Sequence, residues 1–334
     1  MKKLNKKKPI IGFSIGDING IGPEILIKSL SNYNLTKLFT PLVYCNFEII
    51  DYYSKILKKK FSYEKIESIN NIKPNKINLI KVTNKKININ PGKIKNEAGV
   101  YSFKSLELST KDLIKKKIDG IVTLPINKKN IQSEKFKFPG HSEYFAKKCN
   151  SKDFLMMMVS KKLKIGFFTG HIPFKLISKK LSKLQLINKI NILMDSLKNN
   201  FKINNPKIGV LSLNPHAGED NMLGNEEDKI IKPAIKELNN KNNNVYGPFS
   251  SDSYFGNKLY KKYDATFSLY HDQGLIPFKM ISFSDGVNFT AGLKYIRTSP
   301  DHGTAYDISG KNEANNISLD KSILLNLKII KKNG

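Results

Sequence analysis

The amino-acid sequence predicts an α/β protein with two domains. Short apolar segments rich in Ile, Val and Phe recur along the chain, and each is followed by a Gly, Pro or Asn turn and a longer segment with helical periodicity. The chain has 334 residues, 40% of them hydrophobic and 25% charged. A chain of this length usually divides into more than one compact unit, so we expect two α/β domains.

The elements can be assigned in chain order from apolar runs, turn residues and helical periodicity. The predicted strands are Ile10 to Ser14, Leu42 to Cys45, Gly120 to Leu124, Lys164 to Thr169, Lys207 to Leu213 and Ala265 to Tyr270. The predicted helices are Pro23 to Leu30, Ala98 to Lys116, Phe174 to Leu197 and Glu226 to Leu238. The first helix has the clearest start, because proline loses no hydrogen bond in the first turn and the carboxylate of Glu24 lies at the positive end of the helix dipole.

Three segments between these elements have a distinctive composition. The glycine-rich segment Gly16 to Gly22 joins a strand to a helix but matches no phosphate-loop pattern, so it serves either as a structural turn or as a ligand loop. Residues Lys73 to Lys95 are polar and contain Pro and Gly, which predicts short strands and loops at the edge of the first domain. The Asn239 to Asn244 tract predicts a solvated loop after a helix.

The formal charge of +29 comes from 57 Lys and Arg residues against 28 Asp and Glu residues. Only one of the basic residues is Arg, and Lys, Asn and Ile are all abundant, as a drift toward AT-rich codons would produce. The lysine triplets are scattered and have no interleaved aromatic residues: Lys6 to Lys8, Lys58 to Lys60 and Lys115 to Lys117. We therefore expect a solvated lysine surface and no nucleic-acid partner.

Neither a membrane segment nor a disulfide is expected. No apolar run approaches the roughly 18 residues of a membrane span, and the basic segment Met1 to Lys8 is not followed by a hydrophobic stretch. We therefore expect a cytoplasmic protein that has no membrane partner. Cys45 and Cys149 lie far apart and form no C-x-x-C pair, so we expect reduced, structural thiols.

The chain has five histidines, and each of them lies beside or close to Gly or Pro. His171, His216 and His271 follow or end predicted apolar strands. Ligands of open α/β sheets bind at the carboxyl ends of the strands, so these imidazoles are expected at one sheet edge. Three imidazoles with one open position are typical of a catalytic site for a divalent cation, although three unrelated turn histidines would give the same pattern.

Arg297 is the only arginine of a chain that otherwise uses Lys for its positive charge. A guanidinium binds a carboxylate or phosphate in a bidentate manner, which an ammonium cannot reproduce. The alternative is the chance survival of one surface Arg. Lys279 and Asn288 lie upstream in segments broken by Gly or Pro, and they are candidates to complete an anion site.

Several motifs together resemble one family, that of the 4-hydroxythreonine-4-phosphate dehydrogenases of pyridoxal phosphate biosynthesis. The motifs are GDINGIGPE (Gly16 to Glu24), PGHSEYF (Pro139 to Phe145), TGHIP (Thr169 to Pro173), LNPHAGE (Leu213 to Glu219), YHDQGLIPFK (Tyr270 to Lys279) and IRTSPDHGTAYDISG (Ile296 to Gly310). The resemblance extends from Ile10 to about Lys328. Relatives commonly have Thr where this chain has Ser142 and Pro-x where it has Ile18-Asn19, but the hydroxyl and the glycines remain.

The resemblance implies a fold like that of the isocitrate and isopropylmalate dehydrogenases and unlike a Rossmann fold. Two α/β domains would flank an active-site cleft. The first would be discontinuous, with residues 1–130 plus 295–334, and the second, residues 131–294, would carry the dimer interface and most metal ligands. A homodimer would supply metal ligands from both subunits.

The resemblance also implies roles for particular residues. Metal ligands would be the three strand-end histidines, His171, His216 and His271. Substrate contacts would come from His141, Ser142, Lys279, Asn288 and Arg297. The segment His302 to Asn315 is similar to the NAD-contacting segment of the isocitrate and isopropylmalate dehydrogenases, which implies cofactor contacts at His302, Gly303, Thr304 and Asp307.

The implied reaction is oxidation of 4-phosphooxy-L-threonine by NAD or NADP, followed by loss of carbon dioxide from the β-keto acid. A divalent cation such as Zn, Mg, Co or Mn suits both steps, because it stabilises the alkoxide and then the enolate. Candidates for the base are Lys128, Asp252 and Asp272, and Asp272 is alternatively a residue that orients the His271 ring.

Three alternative functions remain, and each differs from this one in its substrate or its binding properties. A related dehydrogenase of a phosphorylated sugar acid, such as D-threonate 4-phosphate, would share the metal and phosphate motifs. A metal-dependent hydrolase would also use three histidines but would not bind NAD. A nucleic-acid-binding protein would show salt-sensitive retention on DNA without dehydrogenase activity.

Overall fold

The computed structural model describes residues 8–333, which divide into two compact units. Unit 1 comprises the described residues up to Asn150 together with Leu293–Lys332, and unit 2 comprises Ser151–Gly292. Lys6 and Lys7 of the first lysine triplet lie outside the described residues. Both units combine a sheet with helices, so the predicted α/β class is confirmed.

Unit 1 contains a parallel sheet of six strands in the order β3-β4-β2-β1-β5-β12. The strands are β1 (Ile10–Ser14), β2 (Thr40–Tyr44), β3 (Glu64–Ile66), β4 (Asn78–Ile80), β5 (Gly120–Thr123) and β12 (Arg297–Pro300). The helices of unit 1 are α1 (Gly22–Leu30), α2 (Tyr33–Thr36), α3 (Phe47–Ile56), α4 (Asn96–Ile114), α5 (His141–Lys148) and α11 (Ile317–Asn333). Buried strands such as β2, with every residue covered, explain the continuous apolar runs of the sequence.

Unit 2 contains six strands in the order β11-β6-β7-β10-β8-β9. They are β6 (Leu155–Val159), β7 (Lys164–Phe167), β8 (Lys207–Leu211), β9 (Asn244–Phe249), β10 (Ala265–Ser268) and β11 (Val287–Ala291). The helices are α6 (Ile177–Lys180), α7 (Lys183–Asn199), α8 (Lys232–Asn239), α9 (Ser251–Gly256) and α10 (His271–Ser282). Strands β7, β10, β8 and β9 pair in parallel, whereas β6 pairs antiparallel with β7 and β11.

The predicted helix from Phe174 to Leu197 is wrong as a single element. A short 3₁₀ turn and α6 precede a break at Leu181, and α7 begins after Ser182. The Ser182 hydroxyl accepts a hydrogen bond from the backbone N–H of Gln185, which caps the new helix. A capping serine inside the periodic segment therefore divides it in two.

The first domain boundary also differs from the prediction. We expected it between residues 130 and 131, but the chain stays in unit 1 up to Asn150. Helix α5 explains the difference, because its Tyr144 and Phe145 are fully buried and pack in one cluster with Phe103 and Phe136 of the same unit. Among the described residues, no helix is both long enough and apolar enough to cross a membrane.

Candidate functional site

The three strand-end histidines follow three neighbouring parallel strands of unit 2. His171 follows β7, His271 follows β10 and begins α10, and His216 follows β8. Strand β10 pairs in parallel with β7 on one side and with β8 on the other. All three residues therefore come from loops at the same carboxyl edge of the sheet, where ligands of α/β sheets bind.

His171 and His271 lie side by side, with their ring centroids 4.8 Å apart. Both line a cavity of about 390 Å³, whose apolar wall includes Phe174 and Tyr270. The Nδ1 atom of His271 lies 2.6 Å from Oδ1 of Asp272, so the carboxylate orients this ring and leaves Nε2 as its second nitrogen. Two neighbouring imidazoles in one cavity are suitable donors for a divalent cation.

His216 does not complete a three-ligand cluster within the chain. It is exposed and lies in a loop with backbone φ of 49°. Across residues 8–333, no group of three or more His, Cys, Asp or Glu side chains is close enough to hold one metal ion. The donors thus fit a divalent cation as a pair, His171 with His271, and the three-histidine site stays a prediction.

Arg297 is a buried residue of unit 1 and not a leftover surface arginine. Its side chain is in β12 and is 2% exposed. Nε and Nη2 donate hydrogen bonds of 3.1 and 2.8 Å to the Thr123 hydroxyl, and Nη2 donates one of 2.9 Å to Ser299. Burial lowers the pKa of Arg297 to about 9, against the effect of Glu143, so the guanidinium is charged at neutral pH.

His141 lies close to this guanidinium at the start of α5. Burial lowers its pKa well below the ordinary value of 6.5, and the charges of Arg297 and Lys128 lower it further. Its Nε2 atom is buried and has no hydrogen-bond partner. Ser142 occupies the next position in the first helical turn. A neutral imidazole, a buried guanidinium and a helix N-terminus together suit an anionic, hydrogen-bonding ligand.

Lys128 is the base candidate that lies at this cluster. Its side chain is exposed, and its Cε would lie 3.9 Å from a Cβ atom placed on Gly140. Its charge acts on His141, which places the two side chains near each other.

The two aspartate candidates belong to unit 2. Asp272 contacts His271, which supports the orienting role over that of a base. Asp252 accepts a hydrogen bond from the Ser250 hydroxyl, and this bond, with others, lowers its pKa below the ordinary value of 3.8. A carboxylate with a lowered pKa is a weak general base at neutral pH.

Lys279 and Asn288, the other predicted substrate contacts, lie in unit 2 as well. Lys279 is in α10, and its Nζ lies 5.3 Å from the centre of the Phe283 ring. Asn288 is in β11 opposite Met158 of β6. Arg297 and His141 belong to unit 1, so the predicted substrate residues are divided between the two units.

The predicted cofactor residues lie in the irregular segment of unit 1 between β12 and α11. His302 lies in a bend, residues 303–305 are irregular, a turn begins at Tyr306, and Gly303 and Asp307 are exposed. The glycine-rich segment 16–22 supports this region, because the Ile21 N–H donates to the Thr304 carbonyl at 2.9 Å. A Cβ atom on Gly20 would lie 2.8 Å from the same carbonyl oxygen, so glycine is needed for the close approach.

Two buried carboxylates complete the support of the segment. Asp17 accepts hydrogen bonds from the Tyr306 hydroxyl and from Asn130 Nδ2, at 2.8 and 2.7 Å. Glu24 accepts from the backbone N–H groups of Gly310 and Ala314. Of the two alternatives for the glycine-rich segment, the structure therefore supports the structural turn.

Sequence reasoning missed the residues that hold the functional side chains in place. Thr123 and Ser299 orient Arg297, as described above. Gln273 donates to the Ser212 carbonyl and accepts from the Leu269 N–H, so it joins the loop after β8 to the loop after β10. The available signal was the position of Gln273 in the YHDQG motif, two residues after His271. The sequence did not show its role, because its partner Ser212 is distant in sequence.

The structure is thus that of a two-unit α/β protein, with a buried arginine beside a histidine in unit 1 and a histidine pair at a sheet edge in unit 2. The model of the family described as "Pyridoxal phosphate biosynthetic protein PdxA" matches residues 37–326. The chain belongs to this family.

Relatives and solved structures agree with this assignment. The chain is 38% identical to the 4-hydroxythreonine-4-phosphate dehydrogenase of Bacteroides thetaiotaomicron, over 98% of this chain and 90% of that protein. It is 38% identical to a putative D-threonate 4-phosphate dehydrogenase of Oceanobacillus iheyensis, over 91% and 93% of the two chains. The crystal structure of the Klebsiella pneumoniae 4-hydroxythreonine-4-phosphate dehydrogenase has a TM-score of 0.84 and 32% identity, covering 98% and 99% of the two chains.

Proposed function

We propose that the protein oxidises 4-phosphooxy-L-threonine with NAD to 2-amino-3-oxo-4-phosphooxybutanoate, which decarboxylates to 3-amino-2-oxopropyl phosphate. The observation that carries this proposal is the cluster of Arg297, His141 and Lys128. Its buried guanidinium and neutral imidazole suit the phosphate and the polar groups of such a substrate. The names of the curated relatives supply the substrate class.

Arg297 would bind an anionic group of the substrate through its planar guanidinium. Thr123 and Ser299 fix the plane of that guanidinium before the substrate arrives, which reduces the entropy lost on binding. His141 is neutral at pH 7, so it can exchange a hydrogen bond with a substrate hydroxyl through Nε2 without adding charge. Ser142, Lys279 and Asn288 are the further proposed substrate contacts.

His171 and His271 would hold a divalent cation, with His216 as the third proposed ligand. When bound, such a cation supplies Lewis acidity that stabilises negative charge on the substrate oxygen. Asp272 fixes the orientation of the His271 ring. Lys128 is the proposed acceptor of the hydroxyl proton because it lies beside His141, and it would accept that proton in its neutral amine form.

The dinucleotide would contact His302, Gly303, Thr304 and Asp307. The buried carboxylate of Asp17 binds the Tyr306 hydroxyl, and that of Glu24 binds the backbone N–H groups of Gly310 and Ala314, so this segment is already shaped before a ligand binds. NAD is the proposed dinucleotide, with NADP as the alternative. The proposed location of the protein is the cytoplasm.

A second copy of the chain is the proposed partner. Helix α10 exposes Ile276 and Met280, and the residue after its C-terminus, Phe283, is exposed as well, at 58%, 83% and 77%. Their spacing places them on one face. The same helix begins with His271, whose pair with His171 contains only two of the three expected ligands. A partner that covers this face would supply the missing ligand near the histidine cavity.

The test is NADH production by the purified protein with 4-phosphooxy-L-threonine and with D-threonate 4-phosphate, each with Zn, Co, Mn and Mg. We expect the higher kcat/KM for 4-phosphooxy-L-threonine. A higher value for D-threonate 4-phosphate would favour the sugar-acid alternative, to which a relative of the same identity points. Loss of phosphate or another hydrolysis without NADH would favour the hydrolase alternative.

A further inference from the structure

The loop that carries His216 has an unusual backbone conformation. All residues from His216 to Asn221 have positive φ, with values between 40° and 86°. Residues other than glycine rarely adopt this left-handed region, and a run of them persists only where surrounding contacts fix it. The position of His216 therefore depends on what holds the loop.

A buried carboxylate holds the start of this loop. Glu227 is 1% exposed, and its Oε1 accepts hydrogen bonds from the backbone N–H groups of Leu213 and Asn214, at 2.8 and 2.9 Å. Its Oε2 accepts a third bond of 2.8 Å from Nδ2 of Asn214. Glu227 thus binds both the backbone and the side chain two residues before His216.

Glu226 takes the other hydrogen of the same amide. Nδ2 of Asn214 lies 2.8 Å from Oε2 of Glu226, whose Oε1 accepts from the Ser178 hydroxyl at 2.7 Å. Because both carboxylates can only accept, the Asn214 amide must present its NH₂ group to them. The pair of glutamates therefore fixes the orientation of this side chain.

We propose that Glu227 is a positioning residue for His216, and that it sets the affinity of the protein for its divalent cation through its hydrogen bonds to the Leu213–Asn214 backbone and to the Asn214 side chain. This inference rests on the proposed role of His216 as a ligand. Residues that support metal ligands in this indirect way typically change metal affinity by about 10- to 100-fold when they are replaced.

Replacement of the two glutamates by glutamine separates the inference from a general charge effect. In Glu227→Gln the amide oxygen can still accept from the backbone, but the new NH₂ group faces the NH₂ group of Asn214. In Glu226→Gln the new NH₂ group can donate to the Ser178 hydroxyl while the amide oxygen accepts from Asn214. The two variants have the same charge and the same chemistry, so Glu226→Gln is a matched control.

The experiment is calorimetric titration of the metal-stripped, full-length protein with Zn²⁺, with a thermal melt to verify folding. We expect Glu227→Gln to weaken Zn²⁺ binding by about 10- to 100-fold, and Glu226→Gln to bind within about twofold of the wild type. In a His216→Ala background, Glu227→Gln should cause no further loss. If Glu227→Gln does not fold, Asn214→Ala, which removes the side-chain donor, should weaken Zn²⁺ binding instead.

Wild-type affinity in folded Glu227→Gln, or in Asn214→Ala if that variant is needed, would overturn the inference. An equal loss with and without His216 would also overturn it, because the effect would then not act through this ligand. Failure of the proposed function has a different signature: His216→Ala itself would bind Zn²⁺ as tightly as the wild type.

Discussion

Replacing Arg297 by lysine keeps the positive charge and removes the planar guanidinium. The guanidinium makes three hydrogen bonds to the hydroxyls of Thr123 and Ser299, and these bonds fix the plane in which it can bind an anion. A lysine ammonium is a compact charge without this geometry, so bidentate binding of the substrate anion is lost. Hydrogen bonds to charged groups contribute about 1–3 kcal/mol, so we expect kcat/KM to fall roughly 5- to 150-fold.

Steady-state kinetics with saturating NAD and metal measure this loss. The KM for NAD and the bound metal should not change, because Arg297 is assigned to neither ligand. Thr123→Ser keeps the orienting hydroxyl and should stay near wild type, whereas Thr123→Val removes it and should reproduce part of the loss. An unchanged kcat/KM in a folded Arg297→Lys protein would refute the assignment of the substrate anion to this residue.

The remaining predictions concern the histidines. His171→Ala and His271→Ala should each lose bound metal and activity together, and full metal content by elemental analysis in both would contradict the metal site. Mixed dimers of His216→Ala and His271→Ala should regain partial activity if the subunits share ligands, while a fully active monomer in light scattering would exclude this. Because burial lowers the pKa of His141, the folded state binds fewer protons than the unfolded chain below pH 6.5. Stability should therefore fall as the pH decreases below 6.5, by up to about 1.4 kcal/mol per pH unit, and less steeply in His141→Gln; parallel melting curves for both proteins would contradict this.

The sequence was sufficient for features that depend on local pattern. The strand β1 (Ile10–Ser14) begins and ends where predicted, because its apolar run is bounded by turn residues. The topological position of His171, His216 and His271 also follows from local signals, since each comes after an apolar run that forms a parallel strand. The resemblance then gave the family, which the comparisons confirm.

Features that depend on distant contacts were not predictable in this way. The helix break at Ser182 depends on a capping hydroxyl that competes with helical periodicity. The inclusion of α5 in unit 1 depends on which aromatic side chains Tyr144 meets in three dimensions. The roles of Glu227 and Thr123 depend on buried hydrogen bonds to residues far away in sequence or in another element. Helical or strand periodicity does not indicate such residues, because each is a single buried polar side chain among apolar ones.

The proposed reaction of this chain is an NAD-dependent oxidation of a phosphorylated hydroxy amino acid followed by decarboxylation. Its most direct test is to measure NADH formation and carbon dioxide release together, with 4-phosphooxy-L-threonine as substrate and with metal restored to the stripped protein. We predict equimolar NADH and carbon dioxide, with neither product formed by the metal-free protein. Consumption of the substrate without NADH, or NADH formed without carbon dioxide, would show that the chain catalyses a different reaction.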